Sequence, residues 1–338
     1  MLKLIAVVAS ISAAIFYGIP AGAASGLPKI VLAHGALNAR IAPLWIAQEQ
    51  KFFAKNGVDT EVLLVRQIQV MIAGLSTGEI DIALTSGSTL MGAASGGLDV
   101  KMVAALVARV GYDLVAAPAI KSPQELRGKR FGIQAFGGGL WMGAMLGLEH
   151  LGLEPQRDNI NVLQVGDQRV IAQALEAGSI DAAALDGVFS RKLQQKGFVI
   201  LAQFSQANIP YIGLGLVVRT ALQRDRPEAL EGIIKGLVEA VAFLSRPQNK
   251  PVVLKTIMNH LKISDPAVAE DGYQDLITGI ERNPVPSLAG LRNMQRLMKI
   301  GNPKLEKLKV EDLIDNRIVK RLEGSGFISR TYGTYGIK

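Results

Sequence analysis

The chain has 338 residues, 49% hydrophobic and 20% charged, a balance that excludes a disordered polymer. Its length suits about two domains. The formal net charge is +8, but Lys and Arg are interleaved with acids, and no dense basic block carries the aromatics expected of nucleic-acid binding. The absence of cysteine excludes disulfides, thiolate metal sites, cysteine nucleophiles and a lipid-bearing N-terminal cysteine.

Residues 1–24 read as a secretory leader: Lys3 supplies the positive start, residues 4–17 the apolar stretch, and Ala21-Gly22-Ala23 a small-residue cleavage site. The stretch is shorter than the roughly 20 residues that span a bilayer. Removal near Ala23 or Ala24 and a mature protein in the periplasm are therefore expected. Residues 29–33 then read as a strand ending at His34-Gly35, and 41–54 as a helix stopped by Asn56-Gly57. A strand over 58–65, a helix over 67–76, a buried strand over 80–84, a helix after Gly87 and a strand over 100–107 follow. Strands alternating with helices at this spacing predict a mostly parallel, covered sheet.

A second unit begins near Ser122-Pro123. A short helix leads into a strand ending at Ile133, and a helix opens at Phe136-Gly137-Gly138-Gly139 and runs to residue 150 or 151. Segments 160–165, 169–176, 182–185, 188–195 and 199–204 complete it. The apolar runs 112–116 and 212–218 read as paired crossings, where a hinge would lie. Beyond Arg219 the pattern turns helical, with a stripe of Leu230, Ile234, Leu237, Val241 and Leu244, and with Asp265-Pro266 opening a later helix. These helices read as a structural cap on the first lobe.

An internal repeat ties the units together. Leu75, Gly78, Ile80, Asp81, Ala83 and Gly87 recur in register as Leu175, Gly178, Ile180, Asp181, Ala183 and Gly187, and Val62-Leu63-x-Val65 recurs as Val162-Leu163-x-Val165. A repeated strand–helix–strand unit predicts two similar α/β lobes, which meet at a cleft suited to closing on a small ligand. The division expected is 27–113 and 206–338 for the first lobe with its C-terminal helices, and 114–205 for the second.

Ligands of open α/β sheets lie beyond the carboxyl ends of the strands, on loops that open helices. That rule selects Leu37, Asn38 and Arg40 in 35–42, Gln67 in 66–69, and Thr85, Ser86 and Ser88 in 85–89. It also selects Gly137, Gly138, Gly139 and Trp141 in 136–141, Asp186 in 186–189, Tyr211 in 208–213, and Arg109. Backbone amides at helix starts suit anions, although Ser86 or Ser88 equally suits an N-cap. Arg40, Arg66, Arg109 and Arg169 suit a sulfonate, carboxylate or phosphate. Asp186 either caps the helix after it or meets a cationic group, which with an arginine would describe a zwitterion. Phe136, Trp141, Phe189 and Tyr211 suit cleft walls; Trp45, Phe52, Phe53, Phe131 and Phe204 suit the core. The triple glycine is not a dinucleotide fingerprint, since Gly143 comes one position late; Gly143 and Gly147 suit close helix packing. Catalysis finds little support: of His34, His150 and His260, only His34 lies at a cleft loop. No metal-ligand spacing is visible, and no cofactor is expected.

Pro43-Leu-Trp-Ile-Ala47, Phe52-Phe-Ala-Lys-Asn-Gly57-Val, Gly78-x-Ile-Asp-Ile-Ala83 and Leu126-Arg-Gly128-Lys-Arg-Phe-Gly132-Ile, in this order behind a leader, resemble the nitrate/sulfonate/taurine (NMT1-like) group of ABC-transporter solute-binding proteins. The resemblance runs from about residue 27 to at least 248. It implies a two-lobed type II periplasmic-binding fold and a non-enzymatic, monomeric receptor. Such a receptor closes on a small anionic or zwitterionic organic ligand and presents it to a permease with its ATPase. It also implies ligand contacts after the first strand, at 85–88 and at the glycine-rich helix start. Two alternatives remain at this level: a sensor addressing a signalling receptor, and a cleft enzyme related to pyrimidine-precursor synthesis, which the lack of cysteine disfavours.

Overall fold

Short apolar runs bounded by glycine and polar turns form the strands, and longer runs at helical spacing form the layers that cover them. The computed structural model describes residues 26–337; the expected leader lies outside them. The first part of the chain contains β1 (Lys29–His34), α1 (Ala42–Glu49), α2 (Phe52–Lys55), β2 (Asp59–Leu64), α3 (Ile68–Thr77), β3 (Ile82–Thr85), α4 (Gly87–Ser95) and β4 (Val100–Arg109). Next come β5 (Asp113–Ala116), β6 (Arg130–Ile133), α5 (Gly139–His150), β7 (Asn161–Gln164), α6 (Gln168–Glu176), β8 (Ala182–Leu185), α7 (Gly187–Gln195) and β9 (Val199–Gln203). The last part contains β10 (Pro210–Arg219), α8 (Thr220–Asp225), α9 (Pro227–Ser245), α10 (Lys250–Leu261), α11 (Pro266–Gly279), α12 (Leu288–Met298), α13 (Arg317–Gly324) and α14 (Phe327–Thr334).

The strands form two five-stranded sheets, ordered β2-β1-β3-β10-β4 and β7-β6-β8-β5-β9, one to each lobe. Both are mixed: four strands run one way, and β10 in the first sheet and β5 in the second run against their neighbours. Each reversed strand is the one the chain forms just after passing from the other lobe. The runs 112–116 and 212–218, expected to be crossings, therefore lie largely within strands, and the connections are 110–112 and 204–209. Continuous burial explains the difference. Leu114, Val115 and Ala116, like Leu216, Val217 and Val218, are covered on both faces, as an inner strand requires.

The two copies of the repeat occupy matching places, α3–β3–α4 and α6–β8–α7. The Asp81 carboxylate accepts from the Val31 N–H of β1 at 2.9 Å, and the Asp181 carboxylate from the Arg130 N–H of β6 at 2.8 Å. Each aspartate thus pins the start of the neighbouring parallel strand.

The helix expected over 41–54 is interrupted. A 3-10 turn at Ala39–Ile41 precedes α1, and Lys51 adopts φ +58° between α1 and α2. That conformation costs a non-glycine roughly 1–2 kcal/mol. The change of direction buries Phe52 and Phe53, with α2 against α9. Burying an aromatic side chain contributes about 1.5–3 kcal/mol, so the exchange favours the break.

The C-terminal helices cover the first lobe: α9 lies on α1 and α2, α10 on α1, α12 on α4 and β10, and α13 on β4. In addition, α11 meets α7 and α12 meets α5, both in the second lobe. On α5, a Cβ at Gly143 would fall 2.5 Å from the Tyr112 ring and one at Gly147 2.2 Å from the Phe204 ring. These glycines seat α5 against both connections.

Candidate functional site

The loop after β1 is shaped by Asn38, whose side-chain oxygen accepts from the Arg40 N–H at 3.1 Å and caps the 3-10 turn. The Arg40 side chain then leaves the first lobe. Its Nη2 donates to Asp186 Oδ1 at 2.7 Å and to the Gly111 carbonyl at 3.1 Å, and the guanidinium stands 4.9 Å from the centre of the Tyr112 ring. Asp186 follows β8 in the second lobe. It holds the N-cap position of α7 without a side-chain capping bond; its Oδ2 accepts instead from Gln168 Nε2 at 2.5 Å, and its N–H donates to Gln168 Oε1 at 2.7 Å. The capping alternative for Asp186 is thus replaced by a salt bridge between lobes. Both side chains are only 14% exposed, which shields the pair from solvent screening. Burial opposes the Arg40 charge, but Asp186 and the surrounding groups hold its pKa above the usual guanidinium value.

A second bridge joins the lobes. Arg191 of α7 donates to Asp271 at 2.6 Å and to Asp275 at 3.0 Å, both on α11. Burial pushes the Asp275 carboxyl above its ordinary range, against the pull of Arg191. Beneath α7, buried Ser190 donates to Asp113 at 2.5 Å, and burial raises the Asp113 pKa despite that bond.

Beside the Arg40–Asp186 pair lies a cavity of about 560 Å³, lined from the first lobe by the 37–40 turn, α10, α11 and the turn joining them, and from the second by α6 and α7. Its size is within the ordinary range for small-molecule sites. Of the residues selected from sequence, Leu37, Asn38, Arg40 and Asp186 line it, as do Arg169 and the cleft-wall candidate Phe189. The others lie elsewhere. Ser86 Oγ accepts from the Thr89 N–H at 3.5 Å and lies 2.8 Å from Ser88 Oγ, so it acts as an N-cap. Thr85 precedes it at the end of β3, and the adjacent Gly87 packs under Leu291 and Met294 of α12. Tyr211 is buried and donates to the Gly139 carbonyl at 2.9 Å, joining β10 to the start of α5. Gly137 uses its freedom at φ +75° to turn the chain into α5, with Gly138 as N-cap. Phe136, 59% exposed, meets the edge of Trp141 rather than the cavity. Gln67 and Arg66 are exposed at the start of α3, and Arg109 pairs with Glu281 at 2.8 Å over a separate shallow hollow.

Sequence reasoning missed Gln168, which holds Asp186, and Lys192, Asp275 and the apolar residues of α10 and α11, which complete the cavity. Gln168 carried a usable signal, standing in the second repeat where Ile68 opens α3 in the first. Residues of α10 and α11 carried none, since their stripes are those of any covering helix.

The sequence also contains one Gly-x-Ser-x-Gly pentad, Gly74-Leu-Ser76-Thr-Gly78. Ser76 lies exposed near the end of α3, whereas a nucleophile elbow needs a strand-to-helix turn. His34 is buried and its Nδ1 engages the Ala36 carbonyl at 2.9 Å. Among the described residues no cluster of three or more His, Cys, Asp or Glu suits a metal ion, and no helix is long and apolar enough to cross a membrane.

Two mixed α/β sheets joined by paired connections, with a cleft between them, define the periplasmic-binding-protein fold. The chain belongs to the NMT1/THI5-like family, which it matches over residues 38–250. No curated protein matches it significantly. Among solved structures, it is similar to the periplasmic sulfonate-binding protein SsuA of Methylobacillus flagellatus KT, with a TM-score of 0.73 at 18% identity over 89% of this chain and 96% of that one. It is also similar to the periplasmic aliphatic sulphonate-binding protein SsuA of Escherichia coli, with a TM-score of 0.69 at 17% identity over 85% and 92%. A third similar structure is the periplasmic nitrate-binding protein NrtA of Synechocystis PCC 6803, with a TM-score of 0.63 at 14% identity over 88% and 89%. All three are named as periplasmic binding proteins, and at this identity the likeness shows the shared fold.

Proposed function

We propose that this protein is a periplasmic receptor that closes on a small anionic or zwitterionic organic solute of sulfonate or carboxylate type and delivers it to an ABC permease with its ATPase. The Arg40–Asp186 bridge carries the reading, because it joins the lobes at the edge of a cavity of ligand size. In this reading residues 1–24 direct export and are removed, and the mature chain works as a monomer. The lobes divide at 27–113 with 206–338 against 114–205, and they rotate about 110–112 and 204–209. Leu37, Asn38, Arg40 and Asp186 form the ligand-side wall, while Thr85, Ser86, Ser88 and the 137–141 loop shape the remaining strand ends.

Thermal-shift measurements and native mass spectrometry on the mature protein test this. A ligand at 100 times its Kd stabilises by about 2.7 kcal/mol, so one chemotype among sulfonates, aromatic carboxylates, nitrate, taurine and pyrimidines should raise Tm by several degrees and bind with unit stoichiometry. Chemical conversion of that ligand would refute the receptor reading.

A further inference from the structure

The internal repeat ends in a glycine in both copies, Gly87 at the first position of α4 and Gly187 at the first position of α7. Neither has a positive φ, so backbone conformation does not call for glycine there. The neighbours do. A Cβ at Gly87 would fall 2.8 Å from Leu291 and 3.1 Å from Met294 of α12, within the first lobe. A Cβ at Gly187 would fall 2.2 Å from Asp275 Oδ1 and 2.4 Å from Arg191 Nη1. Asp275 belongs to α11, which packs on the first lobe, whereas Gly187 and Arg191 belong to the second. One position of the repeat thus seats a helix of its own lobe in the first copy and a helix of the opposite lobe in the second.

Spacing makes the match. Gly187 and Arg191 stand one turn apart on α7, and Asp271 and Asp275 one turn apart on α11, so each pair shares a helix face. Arg191 Nε donates to Asp271 Oδ1 at 2.6 Å, and its Nη2 donates to the Asp271 carbonyl at 2.8 Å and to Asp275 Oδ1 at 3.0 Å. Each helix is anchored in its own lobe. Ser190 of α7 donates to Asp113 of β5 at 2.5 Å, and Tyr273 of α11 donates to the Leu244 carbonyl of α9 at 3.2 Å. A methyl group at position 187 would therefore displace the bridge rather than either helix. We propose that Gly187 and the Arg191–Asp271–Asp275 cluster form the latch that sets how far the lobes close, with Gly187 the positioning residue that leaves room for Asp275 to reach Arg191. Its missing side chain matters only where the lobes meet, because α11 withdraws with its own lobe on opening. The inference rests on the lobe rotation of the receptor reading and goes beyond it, since it is independent of the solute.

Single-molecule energy transfer on the mature protein, with dyes at Q69C and Q156C on the exposed surfaces of the two lobes, tests the latch. G187A should lower the closed-to-open ratio by roughly tenfold, equivalent to one charge-assisted hydrogen bond, while circular dichroism keeps the wild-type helical content. G87A, the same change in the first copy, should instead lower Tm by overpacking under α12 and leave the ratio near wild type. Because the methyl group acts through the Asp275 bridge, D275N should cost less closure in G187A than it does alone. A wild-type ratio in G187A, or strict additivity of G187A with D275N, would overturn the latch and leave the receptor reading standing. A single unvarying distance in the wild type, with and without the solutes of the thermal screen, would count against rotation of the lobes and so against both.

Discussion

Replacing Asp186 with Asn should open the cleft more than it unfolds the protein. The Arg40–Asp186 contact is 2.7 Å with both side chains 14% exposed. Opposite charges centred about 4 Å apart at an effective dielectric near 20 attract by roughly 4 kcal/mol before desolvation. Removing one partner of a buried pair costs about 3–5 kcal/mol. Arg40 retains the Gly111 carbonyl and the face of Tyr112, which lowers the expected loss to about 2–3 kcal/mol. Because the partners come from different lobes and are solvated when the lobes part, that loss falls on the closed state alone. At 1.4 kcal/mol per tenfold, D186N should shift the closed-to-open ratio by about 30- to 150-fold. The chain has no cysteine, so a Q69C/Q156C pair, one exposed site on each lobe, accepts fluorophores cleanly for single-molecule energy transfer. R40Q should shift the distribution likewise, and R40Q/D186N should shift it by less than the sum of the two. An unchanged distribution in D186N, or strict additivity in the double variant, would refute the pair as the bond between lobes.

G147A should destabilise by about 1–3 kcal/mol through overpacking, since the new Cβ would lie 2.2 Å from the buried Phe204 ring. Calorimetry should show Tm falling by several degrees, with part of the loss recovered by F204L in the same chain; an unchanged Tm would contradict this packing. Burial raises Asp113 above its ordinary 3.8, so the folded state holds this proton more tightly. The associated stability is complete below the unfolded value and is lost as pH rises through the folded one. Urea unfolding should therefore show wild type losing stability relative to D113N along that limb, and parallel profiles would refute it. Burial lowers His34 below 6.5, so the opposite sign holds: stability is complete above the unfolded value and falls as pH drops through the folded one. H34Q should flatten that acid limb, and an identical slope would assign it to other groups.

The lobes were legible because the repeat is carried by residues with local duties. Gly78 and Gly178 end helices at positive φ, Ile80 and Ile180 enter the core, and Asp81 and Asp181 pin strand starts. Such duties leave the same letters in both copies. The strand-end rule likewise brought Asn38, Arg40 and Asp186 forward. What it could not supply was pairing across space: nothing near Arg40 in sequence says that its charge is spent on Asp186, and nothing in α10 or α11 distinguishes a cavity wall from a covering face. The segments 112–116 and 212–218 illustrate a different ambiguity, because an apolar run bordering two units has the same composition whether it crosses between them or enters a sheet.

The placement of β10 also dictates an order of assembly. It separates β3 from β4 in the first sheet, so during synthesis β4 emerges with no strand of its own sheet to pair with until the whole second sheet has followed. The second sheet, by contrast, is encoded in one uninterrupted stretch from β5 to β9. The nascent chain can therefore complete the inner lobe while the lobe that begins at its N-terminus is still an open half-sheet. The last strand to arrive is the one that joins the two parts of that half-sheet.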